Sequence, residues 1–289
     1  MTVRPSPSVR AEELVDELTD IRTLPDVAIK VSQLASQENA EVRRIEELIR
    51  VDPVLVGRVL RMVNSAYFGL RSSVDSISKA IIFIGLKNLR NLVIVDSLRD
   101  FFIDDGNGDG FSRRRLWSHG VAVGMSAQLI ASRLYGSPGE DAFLAGMLHD
   151  IGLMVEDQLV SDDLNEAIRR YAQDESSSLV TLEDELVGTN HTLVGECVAE
   201  RWGFPEEVRD AISQHHDLFR NSEDLVELAV QTQIAEYVAD VTGNSLVKNR
   251  IDSPAGIVET HITERIDDYQ ILVDDLHLEI QRATSIYDT

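Results

Sequence analysis

Apolar residues recur along most of this chain at the spacing of an amphipathic helix. From Asp26 onward they fall three or four positions apart, as at Val42, Ile45, Leu48 and Ile49. That spacing places them on one face of a helix, whereas the strict alternation of a half-buried strand is rare here. The pattern therefore predicts an all-α protein.

Two helix starts stand out in the first part of the chain. A residue before proline avoids the α region and proline is tolerated in a first turn, so Asp52-Pro53 predicts the end of one helix and the start of the next. Ser76 stands where an N-cap belongs, ahead of an apolar run that begins at Ile77. Residues 23–103 are therefore predicted to form an N-terminal lobe of about five short helices, preceded by an extension over residues 1–22.

The helical periodicity stops in residues 104–115, a stretch rich in Gly and Asp that predicts a connecting loop. Beyond it, residues 116–245 predict a second helical lobe with helices over 116–135, 141–155, 162–172, 179–186, 191–202, 205–218 and 223–241. Residues 246–289 form a C-terminal tail with a helix from Ile262 to Ala283. That helix either packs on the body or serves as a dimerising or output-connecting helix.

Composition narrows the function classes. The 289 residues, 43% hydrophobic and 27% charged, are enough for one large domain or two packed lobes. The formal net charge of −23 argues against direct nucleic-acid binding, which needs clustered Lys and Arg. A single cysteine, Cys197, excludes an internal disulfide framework and fits a reducing cytoplasm. No apolar run approaches the ~20 residues of a membrane span and residues 1–10 lack the apolar stretch of a signal peptide, so a cytoplasmic protein without membrane contact is expected.

Two histidine doublets mark the second lobe as the chemical part of the chain. His149-Asp150 follows a wholly apolar run, and a carboxylate taken out of water needs a cation, a cluster of donors or a functional cleft. His215-His216 is the other doublet, and its spacing from the apolar residues before it turns His215 inward. These positions predict a buried polar site.

Five of the seven histidines fall between Trp117 and Asp217, at positions 119, 149, 191, 215 and 216. His261 and His277 lie outside that stretch and are predicted to be surface residues. Imidazole and carboxylate without thiolate form a ligand set suited to iron, manganese or zinc, and a carboxylate such as Asp150 can bridge two ions. Spacing alone leaves open whether these side chains meet in space.

The order of these residues resembles the HD superfamily of metal-dependent phosphohydrolases. Shorter motifs are similar to one family within it, the HDOD family, the HD-related output domain of bacterial signalling proteins. The most specific of them is the run Asn-Ser-Ala-Tyr-Phe-Gly from Asn64 to Gly69. The others are Thr23-Leu24-Pro25, Asp52-Pro53, Val74 with Ser76-Ile77, Ile84-Gly85-Leu86, Leu144 to Gly152, Gly188 to His191 with Gly195, Trp202 to Pro205, and His215-His216.

The resemblance implies an HD-type helical bundle over residues 116–245, an additional N-terminal helical lobe, and one or two transition-metal ions, iron, manganese or zinc. It carries the metal ligands over to seven positions, His119, His149, Asp150, His191, His215, His216 and Glu236. Glu236 stands where the HD pattern has an Asp, so one metal position is reached by a side chain longer by one methylene.

Two departures bear on catalysis. The related HD-GYP phosphodiesterases follow their His-Asp-x-Gly with a Lys, where this chain has Leu153, and their second His doublet leads into a Gly-Tyr-Pro loop that is missing here. Arg220 is the only basic residue expected near the second His doublet, where a cation could offset the charge of a substrate phosphate. These departures favour a regulatory module, a non-catalytic platform for a signalling protein partner. The module is also expected to form a homodimer through its C-terminal helix. The alternative is a metal-dependent phosphohydrolase acting on a nucleotide or phosphodiester, which the retained ligands favour.

Overall fold

The computed structural model describes residues 5–18, 26–35, 37, 40–65, 68–103, 111–216, 227–248, 250–251 and 256–287, and within them it contains helices and no strands. The all-α fold expected from the apolar periodicity is therefore confirmed. In these ranges, no helix combines the length and the apolar character that a membrane crossing requires.

Five helices build the N-terminal lobe, the number that its pattern predicts. After α1 (Pro7–Glu17) they are α2 (Asp26–Ala35), α3 (Val42–Arg50), α4 (Pro53–Val63), α5 (Ile77–Ile84) and α6 (Leu86–Ile103). The two predicted helix starts are confirmed. The carboxylate of Asp52 accepts the backbone N–H of Val54 at 2.8 Å, and the hydroxyl of Ser76 accepts that of Lys79 at 3.3 Å.

Asn64, the first residue of the most specific motif, fixes the loop before α5. Its side-chain oxygen accepts the backbone N–H of Val74 at 2.7 Å, and its side-chain nitrogen donates to the carbonyl of Val74, also at 2.7 Å. A single amide side chain therefore pairs with the backbone as a strand would. The motif residue has a structural role in the N-terminal lobe.

An ion pair between a buried arginine and a partly exposed aspartate joins residues 26–103 to the second lobe. Arg90 of α6 is fully buried, and its Nη2 lies 2.6 Å from a carboxylate oxygen of Asp141 in the second lobe. Lys87 contacts the other oxygen of Asp141 at 2.5 Å. The side chain of Asn91 also donates to the carbonyl of Glu140 at 2.6 Å. Because a buried guanidinium is costly without partners, these bonds specify how α6 meets the second lobe.

The second lobe contains eight helices in its described residues. They are α7 (Arg113–Leu129), which continues as a π-helical turn over Ile130–Leu134, α8 (Glu140–Leu148), α9 (Ile151–Leu159), α10 (Ser161–Gln173), α11 (Leu179–Leu186), α12 (His191–Arg201), α13 (Glu206–Gln214) and α14 (Leu228–Val241). Most of the predicted connecting loop, residues 104–110, lies outside the described residues.

Several helix boundaries differ from the sequence prediction. The helix expected over 141–155 is broken at His149-Asp150, and α7 begins at Arg113 rather than at residue 116 because Ser112 caps it by accepting the N–H of Arg115 at 3.3 Å. The tail helix is likewise divided at Arg265 into α15 (Gly256–Glu264) and α16 (Ile266–Tyr287).

The two ends of the chain pack on the second lobe. Helix α1 contacts α12, where Arg201 donates to the carbonyl of Val15 at 2.7 Å. Helix α16 contacts α7 and buries Tyr269, Leu272 and Leu276. The tail helix therefore packs on the body, and the homodimer through it stays a prediction.

His261 was predicted to be a surface residue, and this is wrong. It is 7% exposed, and its Nε2 lies 2.6 Å from the hydroxyl of Tyr135 at the end of the π-helical turn. The ring of Tyr269 meets it edge-on. The second histidine of the tail, His277, is exposed as expected. The burial was not predictable from the local sequence, because Tyr135 lies 126 residues from His261 in the chain.

Candidate metal centre

Histidines from separate helices converge in the second lobe. His119 lies on α7, His149 follows α8 and His191 opens α12. His215 and His216 follow α13. The ring centroids of His119 and His149 are 5.1 Å apart, those of His149 and His215 are 4.9 Å apart, and those of His191 and His216 are 5.1 Å apart. The structure thus brings the five predicted histidines into one cluster.

Asp150 lies at the centre of this cluster. Its Oδ2 is 3.2 Å from Nε2 of His149 and 3.7 Å from Nε2 of His119. Its Oδ1 is 3.5 Å from Nε2 of His191 and also 3.5 Å from Nε2 of His215. One buried carboxylate therefore faces four imidazole nitrogens, two on each oxygen.

The opposite nitrogen of three of these rings is held by a backbone carbonyl. Nδ1 of His119 lies 2.7 Å from the carbonyl oxygen of Asn244. Nδ1 of His149 and of His215 bind the carbonyl of the residue three positions earlier, at 2.7 Å and 2.8 Å. Because a carbonyl oxygen only accepts, each Nδ1 carries a proton. In the neutral ring Nε2 then carries no proton, and its lone pair on the side of Asp150 is available to coordinate a metal ion.

His191 is held by a carboxylate instead. Its Nδ1 lies 2.7 Å from Oε2 of Glu183, and its backbone N–H donates to the same oxygen at 3.1 Å. Glu183 lies on α11 and is completely buried. A carboxylate behind a ligating histidine fixes the ring and raises the basicity of its outer nitrogen. Glu183 belongs to the site although the sequence reasoning did not identify it.

Two close backbone approaches bring the ligand-bearing helices together. A Cβ at Gly120 would lie 2.7 Å from the carbonyl oxygen of Met147, so glycine lets α7 approach the end of α8. A Cβ at Gly152 would lie 2.0 Å from the carbonyl oxygen of His191. The start of α9 therefore touches the start of α12, and this contact accompanies the helix break at Asp150.

His216 and Glu236 form the more open edge of the cluster. Nε2 of His216 lies 3.9 Å from Oε1 of Glu236, and the two side chains are 30% and 20% exposed. One ligand atom of Glu236 lies within 4.8 Å of those of His149 and His215. The longer side chain of Glu236 thus reaches the cluster.

The charge balance of the cluster follows from burial and from Asp150. Burial lowers the pKa of His119, His191 and His215 to about 4 each. Burial also acts to lower the pKa of His149, but the charge of Asp150, whose Oδ2 lies 3.2 Å from Nε2 of this ring, outweighs burial and raises that pKa to about 9. The protein groups therefore set one imidazolium against one carboxylate among neutral rings.

A comparison with protein families adds to this geometry. A model of the HDOD domain matches residues 21–218, which is more than half of the chain. This chain belongs to the HDOD family. The expectation drawn from the short motifs is confirmed, and the match ends just after the second histidine doublet.

One curated relative and three solved structures are similar to this chain. A protein of Treponema pallidum (strain Nichols), itself uncharacterized, is 28% identical over 211 residues, which cover 72% of this chain and 40% of that protein. The chain thus spans less than half of that relative. An HDOD domain protein of unknown function from Geobacter sulfurreducens has a TM-score of 0.70 at 21% identity, over 93% of this chain and 98% of the other.

Two further structures share the HDOD fold. A candidate signal transduction protein from Marinobacter aquaeolei VT8 has a TM-score of 0.75 at 19% identity, over 99% of this chain and 67% of the other. A candidate metal-dependent phosphohydrolase from Shewanella amazonensis SB2B has a TM-score of 0.62 at 18% identity, over 96% and 95%. At these identities the likeness concerns the fold.

The donor atoms of the histidine cluster are of the types that bind a transition metal. The Nε2 atoms of His149, His191 and His215 are buried and make no hydrogen bond within the described part of the chain. Buried nitrogens without a partner are costly, and one cation can satisfy several of them at once. Imidazole with carboxylate suits iron, manganese or zinc. The buried cluster could therefore hold a metal ion.

A narrow cleft opens beside the histidine cluster, and His119, Asp150, His216 and Glu236 belong to both. Its volume is about 40 Å³, and each water needs roughly 10–15 Å³ of such space. The cleft therefore holds about three waters. Residues farther from the cluster that line it include Tyr171, Ser178, Asp240, Ser245 and Arg250.

Among the described residues, Arg250 supplies the positively charged side chain of the cleft. Its guanidinium lies 4.2 Å above the ring of Tyr171. It donates to three backbone carbonyls of the loop before α11, at 3.0, 3.2 and 2.8 Å. Arg220 lies outside the described residues, and Leu153 is fully buried in the core. The cation beside the cluster is thus bound to the protein's own backbone.

Proposed function

We propose that this chain is a regulatory module of bacterial signalling whose second lobe holds a transition-metal ion and whose body serves as a platform for a partner protein. Membership of the HDOD family and the likeness to a candidate signal transduction protein support the proposal. The observation that carries it is the convergence of four Nε2 atoms on Asp150 beside a cleft of about 40 Å³. Such a site has ligands for a metal but little room for a substrate.

The two oxygens of Asp150 divide the histidines into two pairs. Oδ2 faces His119 and His149, while Oδ1 faces His191 and His215. This division suits one metal ion on either side, with the carboxylate bridging, or one ion shared by the whole set. His216 and Glu236 complete the ligand set at the open edge under the same proposal.

The protein's own charges do not favour a phosphate substrate in the cleft. Among the described residues three carboxylates line it, those of Asp150, Glu236 and Asp240, against the guanidinium of Arg250, so a bound metal ion would have to supply most of the positive charge. That guanidinium already binds backbone carbonyls. A phosphodiester brings more negative charge, and productive binding needs local cations to offset the repulsion. As bounded by the described residues, the cleft of about 40 Å³ is also much smaller than usual ligand pockets, which span roughly 300–1,000 Å³.

A metal-dependent phosphohydrolase is the second candidate function, and the retained ligand set together with the likeness to a candidate phosphohydrolase favours it. A bound metal would act as a Lewis acid and lower the pKa of a coordinated water. His119 and Asp150 line both the cluster and the cleft, so they would orient a substrate at the boundary between the two. Arg250 would have to leave its carbonyl partners to steady a phosphate.

Elemental analysis tests the metal site, and a turnover assay separates the two functions. Protein expressed with iron, manganese and zinc should carry stoichiometric metal in the wild type and in His277→Ala, an exposed histidine outside the cluster, but not in Asp150→Ala. No metal in the wild type would refute the site. Turnover of cyclic dinucleotides and mononucleotides should be absent with each metal. Metal-dependent turnover at about 1 per second or faster, lost in Asp150→Ala, would establish the hydrolase instead.

A further inference from the structure

Two buried carboxyl groups lie behind His191, on the side away from the cleft. Glu156 of α9 and Glu183 of α11 are both completely buried. Glu183 accepts both the backbone N–H and the Nδ1–H of His191 on Oε2. Glutamates are almost never fully buried without partners, so Glu156, which contacts no metal ligand in the described contacts, needs an explanation.

The remaining oxygens of the two glutamates lack a donor. Oε1 of Glu183 and both carboxyl oxygens of Glu156 are buried and receive no hydrogen bond from an N–H or hydroxyl group of the described residues. The two carboxyl groups lie within hydrogen-bonding reach of each other. A carboxyl group becomes a donor only when it carries a proton. One proton between the two groups supplies the missing donor and accounts for their contact.

The proton belongs on Glu156, because Glu183 is already the acceptor of two N–H groups. Two adjacent carboxylates in a buried site cannot both be charged without a large penalty. Burial first, and then the neighbouring Glu183, raise the pKa of Glu156 well above its usual range. Glu156 is thus the neutral acid of the pair, and Glu183 is the charged acceptor.

Helix α9 supports His191 twice from one face. Gly152 and Glu156 are four residues apart, so they lie one above the other on the helix. Gly152 admits the carbonyl oxygen of His191, which would lie 2.0 Å from any Cβ there. One turn later Glu156 contacts the carboxylate that binds the ring of His191. The same helix therefore fixes the backbone of His191 and, through Glu183, its imidazole.

We propose that Glu156 is a positioning residue for His191. It donates its O–H to Oε1 of Glu183, and this bond holds Glu183 in place as the acceptor of His191 Nδ1–H. Nε2 of His191 is thereby kept unprotonated and aimed at Asp150. The consequence for metal affinity rests on the proposed metal site, whereas the arrangement of Glu156, Glu183 and His191 concerns protein groups alone.

The tautomer of His191 tests the arrangement in metal-free protein. Nitrogen NMR on histidine-labelled protein should show the Nδ1–H form in the wild type and in Glu156→Gln, whose amide N–H replaces the acid O–H. Glu156→Leu removes the donor and should give a mixture of tautomers. Glu185→Gln, on the exposed side of α11, is the matched control and should match the wild type. A wild-type spectrum from Glu156→Leu would overturn the proposal.

Infrared spectroscopy tests the proton itself and does not depend on an apolar variant that could fail to fold. The wild type at neutral pH should show the C=O stretch of a protonated carboxylic acid, and Glu156→Gln should lose it while keeping the Nδ1–H form of His191. Absence of that band in the wild type, or its persistence in Glu156→Gln, would contradict a protonated Glu156.

Metal affinity links the arrangement to the proposed site. In competition with a chelator for Mn²⁺ or Zn²⁺, Glu156→Leu should bind about 10-fold or more weakly than the wild type, as is typical when the partner behind a ligand is lost. Glu156→Gln and Glu185→Gln should bind as the wild type does. Equal loss in Glu156→Gln and Glu156→Leu would overturn the role of the donor. If the wild type binds no metal, the metal site fails, and the NMR and infrared results still decide the role of Glu156.

Discussion

The two lobes distribute polarity in opposite ways. Among the described residues of 26–103, large apolar side chains are exposed, including Ile82 at 78%, Val51 at 77%, Val54 at 64% and Phe83 at 53%. Among the described residues of 116–245, the exposed large apolar side chain is that of Val241, at 45%. That lobe instead buries polar groups, the histidine cluster with Asp150, Glu156 and Glu183. The N-terminal lobe also buries Arg90 and Asp96, so the contrast concerns its exposed apolar side chains and the buried histidine cluster of the other lobe.

Charge follows the same division. Residues 26–103 contain 11 Lys and Arg against 9 Asp and Glu, so this lobe is close to neutral, while the whole chain carries −23. The acidic excess therefore lies in the rest of the chain. Exposed apolar groups mark a protein-binding surface where they form a contiguous patch, whereas buried ionisable groups are typical of a site for a ligand or metal. The proposed partner platform and the proposed metal site therefore depend on different lobes.

Asp150→Ala should have the largest effect, because the buried cluster depends on this carboxylate. The substitution leaves His149 without its counter-charge, and breaking a buried pair costs about 3–5 kcal/mol. The free energy of unfolding from urea denaturation measures it. Asp75→Ala, which removes an exposed partner of Lys79 in the N-terminal lobe, should leave the denaturation midpoint unchanged. Equal effects of the two substitutions would remove the contrast between the lobes.

The same substitution, Gly→Ala, can be made in each lobe to compare how closely their helices pack. Gly152→Ala puts a Cβ 2.0 Å from the carbonyl oxygen of His191, and we expect a loss of about 3 kcal/mol with weaker metal binding. A Cβ at Gly57 in α4 meets nothing within 4 Å, so Gly57→Ala should stabilise the protein by about 0.5–1 kcal/mol. Thermal and urea denaturation measure both. A stable Gly152→Ala protein with normal metal content would show that α9 and α12 need not touch.

Acidification should weaken the second lobe through its neutral histidines. The pKa of His119, His191 and His215 is about 4 in the folded protein, below the ordinary value near 6.5. The unfolded chain therefore binds more protons between pH 6.5 and 4, and stability falls as the pH drops through that window. The contribution of His149 to stability changes with pH in the opposite direction. Its pKa is about 9 in the folded protein, so this contribution is present below pH 6.5 and is lost as the pH rises through 9.

The expected loss is about 1 kcal/mol per histidine between pH 6.5 and 5.5. Urea denaturation with a chelator present measures it at both pH values. His277→Gln changes an exposed histidine and should keep the wild-type dependence on pH, whereas His191→Gln should reduce it. The same dependence in both variants would place the cause outside the cluster.

Much of the fold was predictable because it depends on local signals. Apolar spacing and the caps at Asp52 and Ser76 identified the helices of the N-terminal lobe. Short motifs identified the family. The gathering of the five histidines of the second lobe was expected from the resemblance, since their spacing alone left it open. Their role as metal ligands stays a prediction.

The parts that were missed depend on contacts between distant segments. The helix break at Asp150 accompanies the approach of Gly152 to His191, and no periodicity predicts that approach. Glu183 did leave a signal, since it shares the apolar face of α11 with Leu179 and Leu182. An acid on an apolar face indicates a buried partner, and the same reasoning applies to Glu156. The position of Arg250 beside the cluster had no such signal.

The smallest expected effect tests the other side of the comparison. Ile82 and Ile84 stand two residues apart on α5, and they are 78% and 7% exposed. Ile84→Val removes a buried methylene and should cost about 1 kcal/mol, while Ile82→Val should change the free energy of unfolding by less than about 0.5 kcal/mol. Urea denaturation of the two variants gives the difference directly. If Ile82→Val costs as much as Ile84→Val, the exposed side chains of α5 contribute to folding. The contrast with the second lobe then loses its meaning, because apolar groups that fold the lobe need no partner to explain them. If only Ile84→Val is destabilising, folding does not account for an isoleucine in water at position 82, and the platform role proposed for the body retains its structural support.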